Sequence, residues 1–333
     1  MTEPAFTSFI NLAADRLGAE AVLCSDDFFA EKENLLKPGR GIFIPGKYTD
    51  RGKWMDGWES RRKRKGDHDW CIIRLATPGI IHGVDIDTNH FLGNHPPHAS
   101  IEACYIQKEK KVKWAKLDWK EILVKSPLLP GSQNFYEISN RNIYTHLRFN
   151  IYPDGGVARL KVYGEVFKDW KLVHEKEKVE LAAAKNGAKA IACNDMFFSH
   201  MENLLMPGRG INMGDGWETK RNRIPGNRDW VIVRLAHEGF INRVCIDTNH
   251  FKGNFPDSCL LEGCNISRHK EHLIESEEIK WITILPKSKL SADRKHNFKK
   301  ELTATNAFTH VRLSIFPDGG ISRMKIWGTI KKL

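Results

Sequence analysis

Two short polar segments occur twice in this 333-residue chain and carry most of its candidate chemistry. The first is Asp56-Gly57-Trp58-Glu59 followed by Arg61 and Arg62, matched by Asp215-Gly216-Trp217-Glu218 with Lys220 and Arg221. Two carboxylates and a guanidinium on one segment can supply a general acid, a base and an anion clamp. The plain alternative is a turn whose Trp plugs the core while its charges pair at the surface. The second segment is Asp87-Thr88-Asn89-His90-Phe91, repeated at 247–251, with Gly93-Asn94 and Gly253-Asn254 behind. On a strand, Asp87 and Asn89 face the same way and His90 emerges at the end. Asp87 with His90, and Asp247 with His250, read as catalytic dyads, as part of a metal site, or as a polar network that satisfies loop backbone groups. No second His stands at ligand spacing, so neither a metal nor another cofactor is expected.

Three further groups recur. Glu102 and Glu262 each stand two residues before a Cys on an apolar strand. There a raised pKa would suit general acid work, and a surface carboxylate is the alternative. Arg148 with Arg159, and Arg312 with Arg323, alternate with apolar residues beside His146 and His310, which predicts a solvated sheet face. Arg74 and Arg234 interrupt strands that are otherwise apolar, so each charge needs a carboxylate or a bound anion nearby.

The elements that must position these residues are set by a duplication. From Asp69 to Cys104 the chain matches itself at an offset of 160 with 20 of 36 positions identical, and 145–164 matches 309–328 at 11 of 20. Pro38-Gly39-Arg40-Gly41 recurs as Pro207-Gly208-Arg209-Gly210, and the first copy carries ten extra residues between Gly41 and Asp56. Trp70 to Leu75 and Trp230 to Leu235 are apolar on both faces, as central sandwich strands would be. The Pro153-Asp154-Gly155-Gly156 turn joins two alternating strands into a hairpin. Short strands repeated twice predict an all-β fold, a tandem duplication of two β-sandwiches with short N-terminal and linker helices. The N-terminal helix is expected from Phe6, Phe9, Ile10, Ala13 and Leu17 on one stripe closed by Gly18. The linker helix is expected from His174 to Ala184, near Gly187. The domains are then 1–166 and 187–333, joined by a helical linker at 167–186.

Composition narrows the class. Apolar residues make up 41%, which suits a globular core and excludes disorder. No run is long and apolar enough to span a bilayer, and no basic residue precedes Arg16 as a secretory signal would require. Seven scattered Cys suggest free thiols in a reducing compartment, so a cytoplasmic location is expected. The net charge of +11 and the run Arg61-Arg62-Lys63-Arg64-Lys65 fit an anionic small substrate. No aromatic platform stands beside that run, so neither nucleic acid nor a membrane is expected as partner. Association into a homo-oligomer is left open.

Gly57-Trp58-Glu59 with Arg62, the two D-T-x-x-F segments, the G-N-x-P loops with Pro96 and Pro256, and the two PDGG hairpins, all in tandem, resemble the allantoicase family. The resemblance covers about residues 7–330. It implies two jelly-roll, galactose-binding-like β-sandwiches and a hydrolase acting on carbon–nitrogen bonds other than peptide bonds, converting allantoate and water to ureidoglycolate and urea. Site assignments rest on the residues' own chemistry. Acid and base are sought among Asp56, Glu59, Asp87, Asp215, Glu218 and Asp247, with His90 and His250 as proton shuttles. Arg62 and Arg221 are expected to clamp the substrate carboxylate, with Arg74, Arg234, Asn94 and Asn254 as further binding groups. The competing reading is a non-catalytic module that binds carbohydrate or a small anion. The copies are not expected to be equivalent. His95, Pro97 and His98 become Phe255, Asp257 and Ser258, and the first copy's extra loop stands where it can cover a site.

Overall fold

The computed structural model describes residues 3–107 and 112–332. The chain divides into two compact units, Met1–Phe167 and Lys168–Leu333. The first unit is organised by one strand, Asp69–Asp87, 19 residues long. Its first half pairs with Glu20–Cys24 on one side and Ile143–Tyr152 on the other. Its second half pairs with Arg159–Val166 and Gln133–Glu137. The neighbours change around Pro78-Gly79, where Pro has no amide to give the ladder, and the register with Ile143–Tyr152 slips there. One strand thus serves two layers. His98–Cys104 and Lys120–Pro127 extend the first layer, and Ile10–Asn11 extends the second. Ile73, Ile86, Leu147 and Leu160 point between the layers and are fully buried. The second unit repeats this plan on Asp229–Asp247. Each unit is therefore the antiparallel sandwich expected from its alternating strands.

The expected helices take another form. Among the described residues every helical turn is a short 3-10 turn. The N-terminal stripe becomes Ala5–Ser8 and Asp15–Leu17 around the strand Ile10–Asn11, and the linker becomes Trp170–Leu172 and Ala184–Asn186 around Val179–Glu180. The reason is tertiary: Ile10 and Asn11 pair with Gly164 and Tyr163, and Val179 and Glu180 pair with Gly328 and Trp327. Edge pairing of this kind overrides a weak local helix propensity. Gly18 and Gly187 still close their turns in the left-handed region, at φ 107° and 103°.

Coverage by distant segments accounts for one expected feature and overturns another. Ile72 and Ile232 face outward yet are buried. In the second unit Ile232 packs under Ile266, Ile274, Ile279 and Trp281, so the strand is apolar on both faces because a connecting segment covers the outer one. The overturned feature concerns Arg159 and Arg323. Both were expected on a solvated face, yet they are 3% and 2% exposed, because the loops after Pro38 and Pro207 lie over them. The ten extra residues of the first copy form a surface hairpin, Tyr48–Thr49 with Gly52–Lys53, where the second copy has the turn Met213–Asp215.

Candidate active site

The segment after the long strand turns sharply. The Asp87 carboxylate accepts a bond from the Asn89 amide at 3.0 Å, and the Phe91 amide bonds the Thr88 carbonyl. His90 takes φ 68° and His250 takes φ 70°. A left-handed non-glycine residue costs about 1–3 kcal/mol, and such strain concentrates at functional sites. The turn drives Phe91 into the unit, fully buried against Gly57 and Gly156, where a Cβ on Gly156 would stand 2.0 Å from the ring. Phe251 lies against Gly216 and Gly320 in the same way. These glycines let one aromatic ring fix the D-G-W-E segment against the P-D-G-G hairpin.

Around this wedge the acidic residues hold a loop. Asp87 is fully buried and takes two bonds from Arg40, at 2.8 and 3.0 Å. Asp247 takes the matching pair from Arg209, at 3.0 and 3.1 Å. Asn89 and Asn249 bond the carbonyl oxygens of Gly41 and Gly210. Asp56 accepts from the Ile42 amide at 2.9 Å and from Arg159 at 2.7 Å. Asp215 accepts from the Ile211 amide at 3.0 Å and from Arg323 at 2.8 Å. Burial opposes ionisation of Asp56, but Arg159 and the Ile42 amide outweigh it and hold the carboxyl below its usual range. Asp56, Asp87, Asp215 and Asp247 therefore each have a guanidinium partner, whereas a carboxylic acid that donates a proton needs an environment favouring its neutral form.

Glu59 and Glu218 have that environment. Their first protein partners are neutral, the side-chain amides of Asn94 (2.7 Å) and Asn254. Burial pushes both carboxyls above their ordinary value, opposed only by that amide bond. Glu218, Arg221 and Asn254 line one cavity of about 640 Å³ together with Phe198, Thr219, Asn222 and Arg223. Arg62 and Arg221 are exposed on the segment that leaves the glutamate. His90 lies beside Phe43, with ring centroids 5.7 Å apart, whereas His250 places Nε2 at 2.9 Å from the Gly210 carbonyl oxygen.

Other expected site residues lie elsewhere. Arg74 pairs with Glu20 at 2.7 Å and lines a separate cavity of about 240 Å³ with Trp114 and His146. Arg234 pairs with Glu271 at 3.0 Å. Both thus have the carboxylate that their apolar strands demanded. Glu102 takes two bonds from Arg148, both 2.6 Å. Burial opposes its ionisation, but Arg148 and Asn150 outweigh this and lower its pKa, against the general-acid alternative. Glu262 is paired with Arg312 at 2.9 Å.

Sequence reasoning passed over Arg40, Arg209, Arg159 and Arg323 as site residues. The signal was present for the first pair, since the whole P-G-R-G tetrapeptide is kept in both copies. For the second pair the alternating pattern points the other way.

Residues 10–167 and 179–331 each match the family described as the allantoicase repeat. The chain is 50% identical over 330 residues to "Probable allantoicase 1" of Burkholderia mallei, covering 99% of this chain and 97% of the relative. It is 49% identical over 327 residues to a "Probable allantoicase" of Pseudomonas fluorescens, covering 98% of each. The crystal structure of allantoicase from Saccharomyces cerevisiae matches with a TM-score of 0.81 at 36% identity, covering 97% of this chain and 96% of that one.

Proposed function

This chain belongs to the allantoicase family, and from that premise we propose that it hydrolyses allantoate to ureidoglycolate and urea. Allantoate carries a carboxylate on a carbon that also bears two ureido groups. Breaking one bond from that carbon to nitrogen requires a proton for the departing urea nitrogen, a base for water and a cation for the carboxylate. The observation that carries the reading is the pairing of a half-buried carboxylic acid with a neutral amide in both units, each three residues before an exposed arginine, which in the second unit lines the same cavity.

Glu59 and Glu218 are the general acids, with Asn94 and Asn254 orienting them. Arg62 and Arg221 hold the substrate carboxylate. The proton leaves the glutamic acid for the urea nitrogen as the carbon–nitrogen bond breaks. Water's oxygen joins the carbon, and one of its protons passes through His90 or His250 to the glutamate, which restores the acid. Asp56, Asp87, Asp215 and Asp247 are positioning residues, which hold Arg159, Arg40, Arg323 and Arg209 and through them the loop beside each site. Arg74 and Arg234, each tied to its own carboxylate, brace the sheet and lie outside this assignment. No helix among the described residues is long and apolar enough to cross a membrane.

The test is urea release from allantoate by the purified chain, with ureidoglycolate formed in equal amount. A chain that binds allantoate and releases no urea would overturn the reading in favour of a binding module. The clamp makes its own prediction. Arg62→Lys combined with Arg221→Lys keeps the charge but loses two-pronged contact, a loss of about 1.5–3 kcal/mol or roughly 10–150-fold in kcat/KM. An unchanged kcat/KM in the folded double variant would place the clamp elsewhere.

A further inference from the structure

We propose that the hairpin present only in the first unit, residues 43–54, covers that unit's site, so that one chain carries a closed site and an open one. This rests on the glutamate assignment above. The hairpin reaches across two walls. At one end the Ile42 amide is tied to Asp56, and the Phe43 ring lies beside His90. At the other end Arg51 donates to the Phe28 carbonyl at 3.1 Å, with its guanidinium 5.1 Å from the centre of the Phe28 ring. The Phe28 wall adjoins the acid directly, because the amides of Phe29 and Ala30 both donate to the Glu59 carbonyl. Phe198, the counterpart of the neighbouring Phe29, lines the second unit's cavity. The hairpin is internally braced by Lys47 over Trp54 and Lys53 over Phe43, at 3.7 and 4.5 Å.

The second unit shows the same walls with a short connection in place of the hairpin. Phe197 and Phe198 are 68% and 61% exposed, against 39% and 38% for Phe28 and Phe29. Met213 lies where the shorter connection runs, 3.9 Å from the Asn254 amide nitrogen. The hairpin also exposes Ile44 and Tyr48, apolar surface that water disfavours and that a closed lid over bound substrate would shield. Excluding water strengthens every charged contact inside and shields the departing group, so the covered site is the faster one.

The experiment isolates each site with Glu→Gln and then removes the cover. Residues 43–55 are replaced by Asn-Met-Gly, the sequence that follows Ile211. In a Glu218→Gln background, where the first site works alone, kcat/KM for urea release falls at least tenfold. In a Glu59→Gln background, where the second site works alone, it changes less than twofold. If the replacement does not fold, Phe43→Ala with Arg51→Ala frees both ends of the hairpin and follows the same pattern at a smaller size, about three- to tenfold. No loss in the Glu218→Gln background, or equal losses in both, would overturn the cover. Full activity in a Glu59→Gln, Glu218→Gln double variant would instead overturn the glutamate assignment beneath it.

Discussion

Replacing Glu59 and Glu218 together by Gln lowers kcat for urea release by about 10²–10⁴-fold, the range for loss of a general acid. Gln keeps the shape and can still bond Asn94 and Asn254, so the sandwiches stay folded and the loss is one of protons. The pH profile carries a second signature. Because burial raises both carboxyls, the acid form persists to higher pH than an ordinary glutamate allows. In the unaltered chain the rate therefore falls as pH rises through that raised value, and in the double variant this limb disappears. The single variants are unequal. Glu59→Gln costs at least about ten times more than Glu218→Gln, a difference of about 1.4 kcal/mol, because it silences the covered site. Equal half-sized losses would mean two equivalent sites.

Arg159→Met has the largest expected effect on stability, about 3–5 kcal/mol in denaturant unfolding. Arg159 is almost fully buried and donates to the Asp56 carboxylate and carbonyl oxygens at 2.7 and 2.9 Å. Removing it leaves a mostly buried carboxylate held by the Ile42 amide. Had the residue stood on a solvated face, as its alternating strand suggests, the cost would be about 0–1 kcal/mol. A measured loss under about 1 kcal/mol would contradict the buried pair. The same change at Arg323 strips Asp215 in the same way.

These residues show what could be read in the sequence. Strand periodicity and the duplication specify both sandwiches, since which side chains face inward is a local property of alternation. The D-T-N-H-F and D-G-W-E segments stand out because a turn alone does not need so many polar groups twice. What the sequence hides is coverage by distant segments. Arg159 is buried by a loop more than 100 residues earlier in the chain, and Ile232 by a connection that no strand pattern describes. Arg40 finds Asp87 across 47 residues, so neither spacing nor propensity links them. The helix expected at the N-terminus fails for a related reason. Ala13 and Leu17 of its apolar stripe are buried, but pairing with Tyr163 and Gly164 draws the backbone into a strand. Among the acidic candidates, sequence left five aspartates and glutamates equivalent in kind to Glu59, and only the partners distinguish them. Each aspartate has an arginine as partner, whereas Glu59 and Glu218 have an amide and a buried setting that raises their pKa.

The central claim is that the chain breaks the bond between the central carbon of allantoate and a ureido nitrogen, expelling urea whole. Hydrolysis in ¹⁸O-labelled water tests it most directly, because the carbonyl oxygen of urea does not exchange with solvent on the assay timescale. Cleavage at the central carbon predicts urea free of label, with the incoming oxygen carried by ureidoglycolate and no ammonia released. Labelled carbon dioxide accompanied by ammonia, with no urea formed, would place the attack on a ureido carbonyl and contradict the account.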